Sequence, residues 1–337
     1  MTLSLRPIVN HAVPTHPGHT ALEAQVIVGN SDALRDAVAL ARKVAAGNLP
    51  ILLVGETGTG KEVLAKAIHQ WSGRRGRLVS VDCGTLADGT IVGELMGHRR
   101  GAYTGAVDSS PGLIEQAEGG SLFLDEIGSL SLIGQAPLLR VLETKLVRGV
   151  GRVEDRKIDF RPIATAHENY PLLIASGKLR HDLLHRLAGV VIRLPPLRER
   201  VEDIHPLATH FAALSGAVLS HQASQVLAAH QWTGNIRELR FAIERAIELS
   251  GDSTLTAEAV AQAIDAGMQL GVESVTTGLL VKSELSHLCA LHGHRATAIA
   301  AALGISRATL FRRLAAMGLS LRGLQGRRAG RERIGCA

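Results

Sequence analysis

The chain of 337 residues is 46% hydrophobic, 20% charged and 3% aromatic, with a formal net charge of +6. This composition excludes a disordered chain and allows two or three domains, each with its own core. With no apolar run of about 18 residues and no apolar signal core near Met1, a cytoplasmic protein without a membrane partner is expected.

The charge is placed unevenly. Residues 281–318 carry a net +4 and residues 319–337 a further +4, which leaves −2 for residues 1–280. A near-neutral body with a basic end points to a bound polyanion, most simply double-stranded DNA. The scarcity of aromatics argues against base stacking on single strands. Cys83, Cys289 and Cys336 lie far apart and are odd in number, which suggests neither a disulfide framework nor a thiolate zinc site.

Along the chain, residues 1–24, with Pro7, Pro14 and Pro17, read as a flexible leader. From 25 to 196 short apolar runs alternate with helical patterns. "PILLVGE", "RLVSVDC", "GSLFLDEI" and "KIDFRPIATA" have the look of buried strands, and "KEVLAKAIHQW" that of a helix. The alternation predicts an α/β fold, a parallel sheet flanked by helices on both faces. After "LPPLRER" the pattern is helical, with stretches at 222–229, 235–250 and 256–267, so residues 197–267 are expected to form an all-helical domain. Residues 268–278 read as a linker, 279–319 as a compact helical unit and 320–337 as a basic tail.

"GETGTGKE" (55–62) follows an apolar strand and opens a helix, the context of a phosphate loop. Backbone amides of Gly55, Glu56, Thr57, Gly58, Thr59 and Gly60 would close around phosphate oxygens, and Lys61 would reach the β- and γ-phosphates of ATP. Glu62 stands where a hydroxyl residue usually helps ligate Mg2+. About 60 residues on, "SLFLDEI" ends in Asp125 and Glu126. An Asp at such a strand end holds Mg2+ through its water shell, and an adjacent Glu is placed to polarise the attacking water.

These motifs, with "GELMGHRRGAYTGA", "LLRVLE", "LRHDLLHRL", "LPPLRER.EDI" and "WTGNIREL", resemble the sigma-54-dependent transcription activators, the bacterial enhancer-binding proteins of the AAA+ superfamily. The likeness runs from about Val28 to Arg245 and resumes from about Leu285 to Leu319. It implies an AAA+ ATPase core at 25–196 with a helical lid at 197–267. Gly101, Ala102, Tyr103, Thr104, Gly105 and Ala106 then form the loop that engages sigma-54 RNA polymerase. Arg180 and Arg186 become trans-acting fingers toward a neighbouring subunit's nucleotide, six apart and so about 120° apart if both are helical. Action across a subunit boundary implies a ring, which the resemblance makes a homo- or hetero-hexameric one. Arg237 becomes a sensor reaching the nucleotide from the lid. His181 and His185 stand at i,i+4 with no third ligand, which argues against a metal there.

Three positions depart from the family. Tyr103 replaces the usual Phe, Asp82 the usual Asn that couples the catalytic Glu to the loop, and His167 the first-sensor Asn. A second carboxylate meeting Glu126 would raise one of the two pKa values, so slower ATP turnover than usual in the family is expected.

"HRATAIAAALGISRATLFRRLAAMGL" (294–319) reads as two helices around Gly304-Ile305, with Ser306 as N-cap of the second. Arg307, Thr309, Arg312 and Arg313 on that helix suit insertion into a major groove, Arg307 toward a base and the other two arginines toward phosphates. The segment resembles a Fis-type helix-turn-helix. Together these readings predict an ATP-dependent activator of sigma-54 polymerase. A DNA-binding regulator that uses ATP mainly for assembly is the alternative, and an unfoldase or helicase has no use for "GAYTGA". The leader is too short for a folded sensing domain, so a separate regulatory protein or control by expression level is expected.

Overall fold

The computed structural model describes residues 27–102, 108–251 and 253–278, the stretch 268–278 as backbone alone. Five strands, β1 (Ile51–Val54), β2 (Leu78–Asp82), β3 (Ser121–Asp125), β4 (Arg161–Ala166) and β5 (Val190–Arg193), form one sheet in the order β2-β3-β4-β1-β5. Every pairing in it is parallel. The main helices are α1 (Asp32–Ala45), α2 (Lys61–Trp71), α3 (Ile91–Met96), α4 (Leu132–Thr144), α5 (Tyr170–Ala175), α6 (His181–Leu187), α7 (Ile204–Leu214), α8 (His221–Ala229), α9 (Asn235–Ser250) and α10 (Ala257–Gly278).

Alternation along the strands builds two cores. Leu52 and Val54 of β1, with Leu122 and Leu124 of β3, pack on one face against Ile91, Leu95, Leu138 and Leu183. Ile51 and Leu53, with Phe123 and Ile163, pack on the other against Leu34, Ala41, Leu64 and Ile68 from α1 and α2. Successive side chains of a strand point to opposite faces, so a strand apolar throughout is what a sheet covered on both sides requires.

The four strand segments anticipated from sequence appear as β1 to β4. β5 was not anticipated: it is an edge strand whose central Val191 is exposed and which ends in exposed Arg193, so it lacks the continuous apolar signal of the others. The region after residue 196 is helical except for a two-residue parallel ladder, Val218–Leu219 with Thr254–Leu255. The backbone of 268–278, expected as a linker, continues α10 as helix. That stretch contains no proline, and a single internal glycine costs a helix only about 1 kcal/mol.

β4 is secured at its start by Arg161, which is fully buried. Its guanidinium donates to Leu49 O (3.0 Å), Val44 O (2.7 Å) and Ala45 O, the carbonyls at and just beyond the end of α1. A cation there complements the negative end of the helix. The segment carrying the glycine-rich loop has its own stem, a two-residue antiparallel ladder pairing Gly97 with Pro111 and His98 with Ser110. A second hairpin, Leu146–Val147 with Arg156–Lys157, stands beside it. Val150 N–H donates to Gly97 O (2.8 Å), and Arg99 N–H to Val150 O (3.0 Å).

Candidate functional site

The phosphate loop joins β1 to α2. Gly58 (φ 80°) and Gly60 (φ 101°) occupy the left-handed region, which favours glycine. Gly60 is the N-cap of α2, so the free amides of the helix start face into the loop. Lys61 Nζ donates to Gly55 O (2.8 Å) and Glu56 O (2.7 Å), which sets its charge within the curve of the backbone. Burial lowers its pKa, and the carboxylates of Asp125 and Glu126 oppose that shift. Thr59 Oγ1 donates to Glu56 O (2.9 Å). Glu62 is exposed and pairs with Lys66 at 2.7 Å, so its carboxylate serves the helix surface.

Asp125 ends β3 half-buried and Glu126 follows it exposed. Glu126 has φ 55° and ψ 60°, a left-handed conformation that costs a non-glycine residue about 1 kcal/mol or more. Its N–H donates to Thr165 Oγ1 (2.7 Å), and Thr165 Oγ1 donates to Asp125 Oδ1 (2.6 Å). Asp82 is the lateral neighbour of Asp125 across the sheet, and its Oδ1 accepts from Gly84 N–H (2.9 Å) within its own turn. Burial, reinforced by Asp125, Asp82 and Glu126, pushes the Cys83 thiol up to about 12, which leaves it unreactive at neutral pH. His167, just past β4, accepts on Nδ1 from Asn169 N–H (3.2 Å).

The lid grips this loop. Arg198 makes two bonds to the Glu56 carboxylate (2.8 and 2.6 Å). The fully buried Asn235 adds a third from Nδ2 (3.1 Å), donates also to Thr57 O (3.0 Å), and accepts Leu197 N–H on Oδ1 (2.7 Å). The Arg198 guanidinium, together with Asn235, holds the Glu56 carboxyl down at about 2. Arg200, buried beside Asp203, donates to Thr59 O (2.7 Å). Ile236 N–H donates to Gly58 O (2.9 Å), and Arg237 stands next to Gly58, where its charge acts on Lys61. A side chain at position 58 would meet Gly234 O and Arg237, so the glycine also allows the lid to close down.

The structure thus brings Gly55 to Lys61, Asp125, Glu126, His167 and Arg237 around one loop. It adds Thr165, Arg198 and Asn235, which sequence reasoning missed. Asn235 had a signal, since it sits in "GNIREL" and Asn tolerates the left-handed φ of 57° found there. Arg180 and Arg186 are exposed at the two ends of the α6 segment. Arg180 is not helical but the N-cap of α6, so the 120° spacing does not apply. Its guanidinium pairs with Asp182 (2.7 Å). His181 and His185 bring their Nε2 atoms to 3.0 Å, and among the described residues no three His, Cys, Asp or Glu gather as a metal site.

Of the glycine-rich loop, Gly101 (φ 76°) and Ala102 are described, with Ala102 N–H donating to Arg99 O (3.1 Å). Tyr103, Thr104, Gly105 and Ala106 lie outside the described residues, as do Ser306, Arg307, Thr309, Arg312 and Arg313. Among the described residues no helix is long and apolar enough to cross a membrane.

The loop fits a nucleoside triphosphate. Its left-handed glycines, helix-start amides and enclosed Lys61 are donors suited to phosphate, and Arg237 adds a second cation. Asp125 at its rim fits Mg2+ brought in with phosphate, an ion that takes one or two protein carboxylates and keeps several waters.

Residues 27–193 match the family model of the Sigma-54 interaction domain, and residues 198–274 that of an AAA+ ATPase lid domain. The pathogenicity-locus regulatory protein HrpS of Pseudomonas syringae is 39% identical over 287 residues, 82% of this chain and 91% of that protein. The chain belongs to the sigma-54-dependent regulator family. Another relative, the transcriptional activator RocR of Bacillus subtilis, is 42% identical over 249 residues, 71% of this regulator and 54% of RocR. The regulator therefore spans nearly all of one relative and about half of the other. Among solved structures, NtrX of Brucella abortus in complex with ATP matches with a TM-score of 0.65 and 31% identity, over 88% of this regulator and 71% of that chain.

Proposed function

We propose that this regulator is an ATP-dependent activator of sigma-54 RNA polymerase that binds upstream double-stranded DNA and couples ATP hydrolysis to promoter opening. The observation that carries the reading is the meeting of Lys61, Asp125, Glu126 and Arg237 at one phosphate loop, in a chain that also presents "GAYTGA" on a stem of its own.

Lys61 and the loop amides bind the phosphates, and Arg237 joins them from the lid. Mg2+ bound with ATP would offset phosphate charge beside Asp125. The Glu126 carboxylate takes a proton from water as that water's oxygen bonds to the γ-phosphorus and the bond to the ADP oxygen breaks. Arg180 and Arg186 act on the nucleotide of the next protomer in a hexameric ring. To do so Arg180 exchanges its partner Asp182, and a solvent-exposed pair gives little resistance. Residues 101–106 then move against sigma-54, while Arg307, Arg312 and Arg313 hold the DNA.

Open-complex formation on a sigma-54 promoter tests this. Wild type is expected to open the promoter, with Tyr103→Ala and Glu126→Gln inactive, and Glu126→Gln losing hydrolysis by about a hundredfold or more. Equal activity of wild type and Tyr103→Ala would remove the central assignment. A second reading, ATP used mainly for assembly, draws on Glu62, whose carboxylate pairs with Lys66 where a hydroxyl ligand is usual. It predicts slow hydrolysis that Glu126→Gln barely changes.

A further inference from the structure

We propose that Thr165 is the positioning residue that sets the two carboxylates of the hydrolytic centre, a role that rests on the ATPase reading above. Asp125 and Glu126 are consecutive residues at a strand end, where nothing in the ladder fixes their mutual orientation. Glu126 has already left the strand for a left-handed conformation. One hydroxyl answers to both. A threonine has a single O–H proton, so when Thr165 gives it to Asp125 Oδ1 (2.6 Å), its lone pairs accept Glu126 N–H (2.7 Å). The result is a directed chain, Glu126 N–H to Thr165 O–H to Asp125 carboxylate, in which each bond polarises the next.

The placement makes this hydroxyl firm. Thr165 is 1% exposed on β4, which pairs with β1 on one side and β3 on the other. β1 leads into the phosphate loop and β3 into Asp125, so a rigid central strand references the carboxylates to the phosphates. A β-branched side chain on a strand is also restricted at χ1, which aims the hydroxyl. A purely structural role would not need the hydroxyl here, because Asp125 is half-buried and Glu126 exposed, and water can satisfy both once it is gone. What water cannot supply is a fixed direction. The family's usual Asn stands as Asp82 in this chain, and its carboxylate is engaged within its own turn. Positioning then falls to Thr165.

The test compares Thr165→Val, which keeps the shape, with Thr165→Ser, which keeps the hydroxyl. Thr165→Val should lower kcat about tenfold to a hundredfold with KM for ATP within about threefold. It should also raise several-fold the Mg2+ concentration that half-saturates tight binding of a fluorescent ATP analogue, with a melting temperature close to wild type. Thr165→Ser should recover kcat and the Mg2+ midpoint to within about threefold. Thr165→Val behaving as wild type in both readouts, or Thr165→Ser failing as badly as Thr165→Val, overturns the proposal. If Thr165→Val does not fold, Thr165→Ala is judged by the same two readouts. If wild type does not hydrolyse ATP, or Glu126→Gln leaves hydrolysis intact, the ATPase reading fails instead. The Mg2+ titration still decides Thr165 in that case, an unchanged midpoint overturning it.

Discussion

The phosphate loop and the stem of the glycine-rich loop are secured in opposite ways. The first is gripped by side chains far away in the chain: Arg198 and Asn235 on Glu56, Arg200 on Thr59. The second is held mainly by backbone bonds, Gly97 against Pro111 and Val150, with the local Ser109 Oγ accepting from Arg100 N–H (3.0 Å). Side-chain clamps specify chemistry, since each partner must present a given charge or amide. A backbone ladder between closely apposed chains specifies space, since what it demands is the absence of side chains. The nucleotide end should therefore fail on loss of a group, and the stem on gain of one.

The largest expected effect is at the nucleotide end. Lys61→Ala removes a charged donor from the loop and should weaken ATP binding on the order of a hundredfold, read by nucleotide titration, with the fold retained. At the stem, Gly112→Ala places a Cβ against backbone atoms of Gly97, Leu95 and Met96, none of which can rotate away. It should cost about 2–3 kcal/mol in denaturant unfolding. Open complexes should be lost while ATP affinity stays within about threefold, and an equal loss of affinity would show the two ends to be one unit.

Asn235→Ala should cost about 1–2 kcal/mol by the same unfolding measurement, because it strands Leu197 N–H and frees Glu56 and Thr57. The smallest effect is pH-dependent. The folded pKa of Glu56 lies near 2 against an ordinary 4.5, so its ion pair stabilises fully above 4.5 and is lost as pH falls toward 2. Arg198 is 41% exposed, so screening keeps the contribution below about 1 kcal/mol. The stability difference between wild type and Glu56→Gln should fade between pH 4.5 and 2.

Local patterns were legible in the sequence. The phosphate loop announces itself because strand, glycines, lysine and helix are contiguous, and the continuous apolar runs of β1 and β3 identify a sheet covered on both faces. Contacts between distant segments were not. Thr165 meets Asp125 across 40 residues and Arg198 meets Glu56 across 142, and neither residue type is unusual where it stands. The spacing of Arg180 and Arg186 does not reveal where the helix begins: the chain is still extended at Arg180 and turns helical at His181. Asp82 ends its strand beside Asp125, and the turn after β2 gives its Oδ1 the Gly84 amide, a local bond that the strand pattern does not announce.

Arg161 gives the central strand a further property. β4 is anchored below by a buried guanidinium on the end of α1 and above by a hydroxyl on Asp125, and it is flanked on both sides by other strands. Its ladder amides reach solvent only when β1 or β3 separates from it, at the middle of the sheet. Deuterium uptake at Arg161 and along residues 163–166 should therefore be among the slowest in the chain and report the opening of the sheet at its centre.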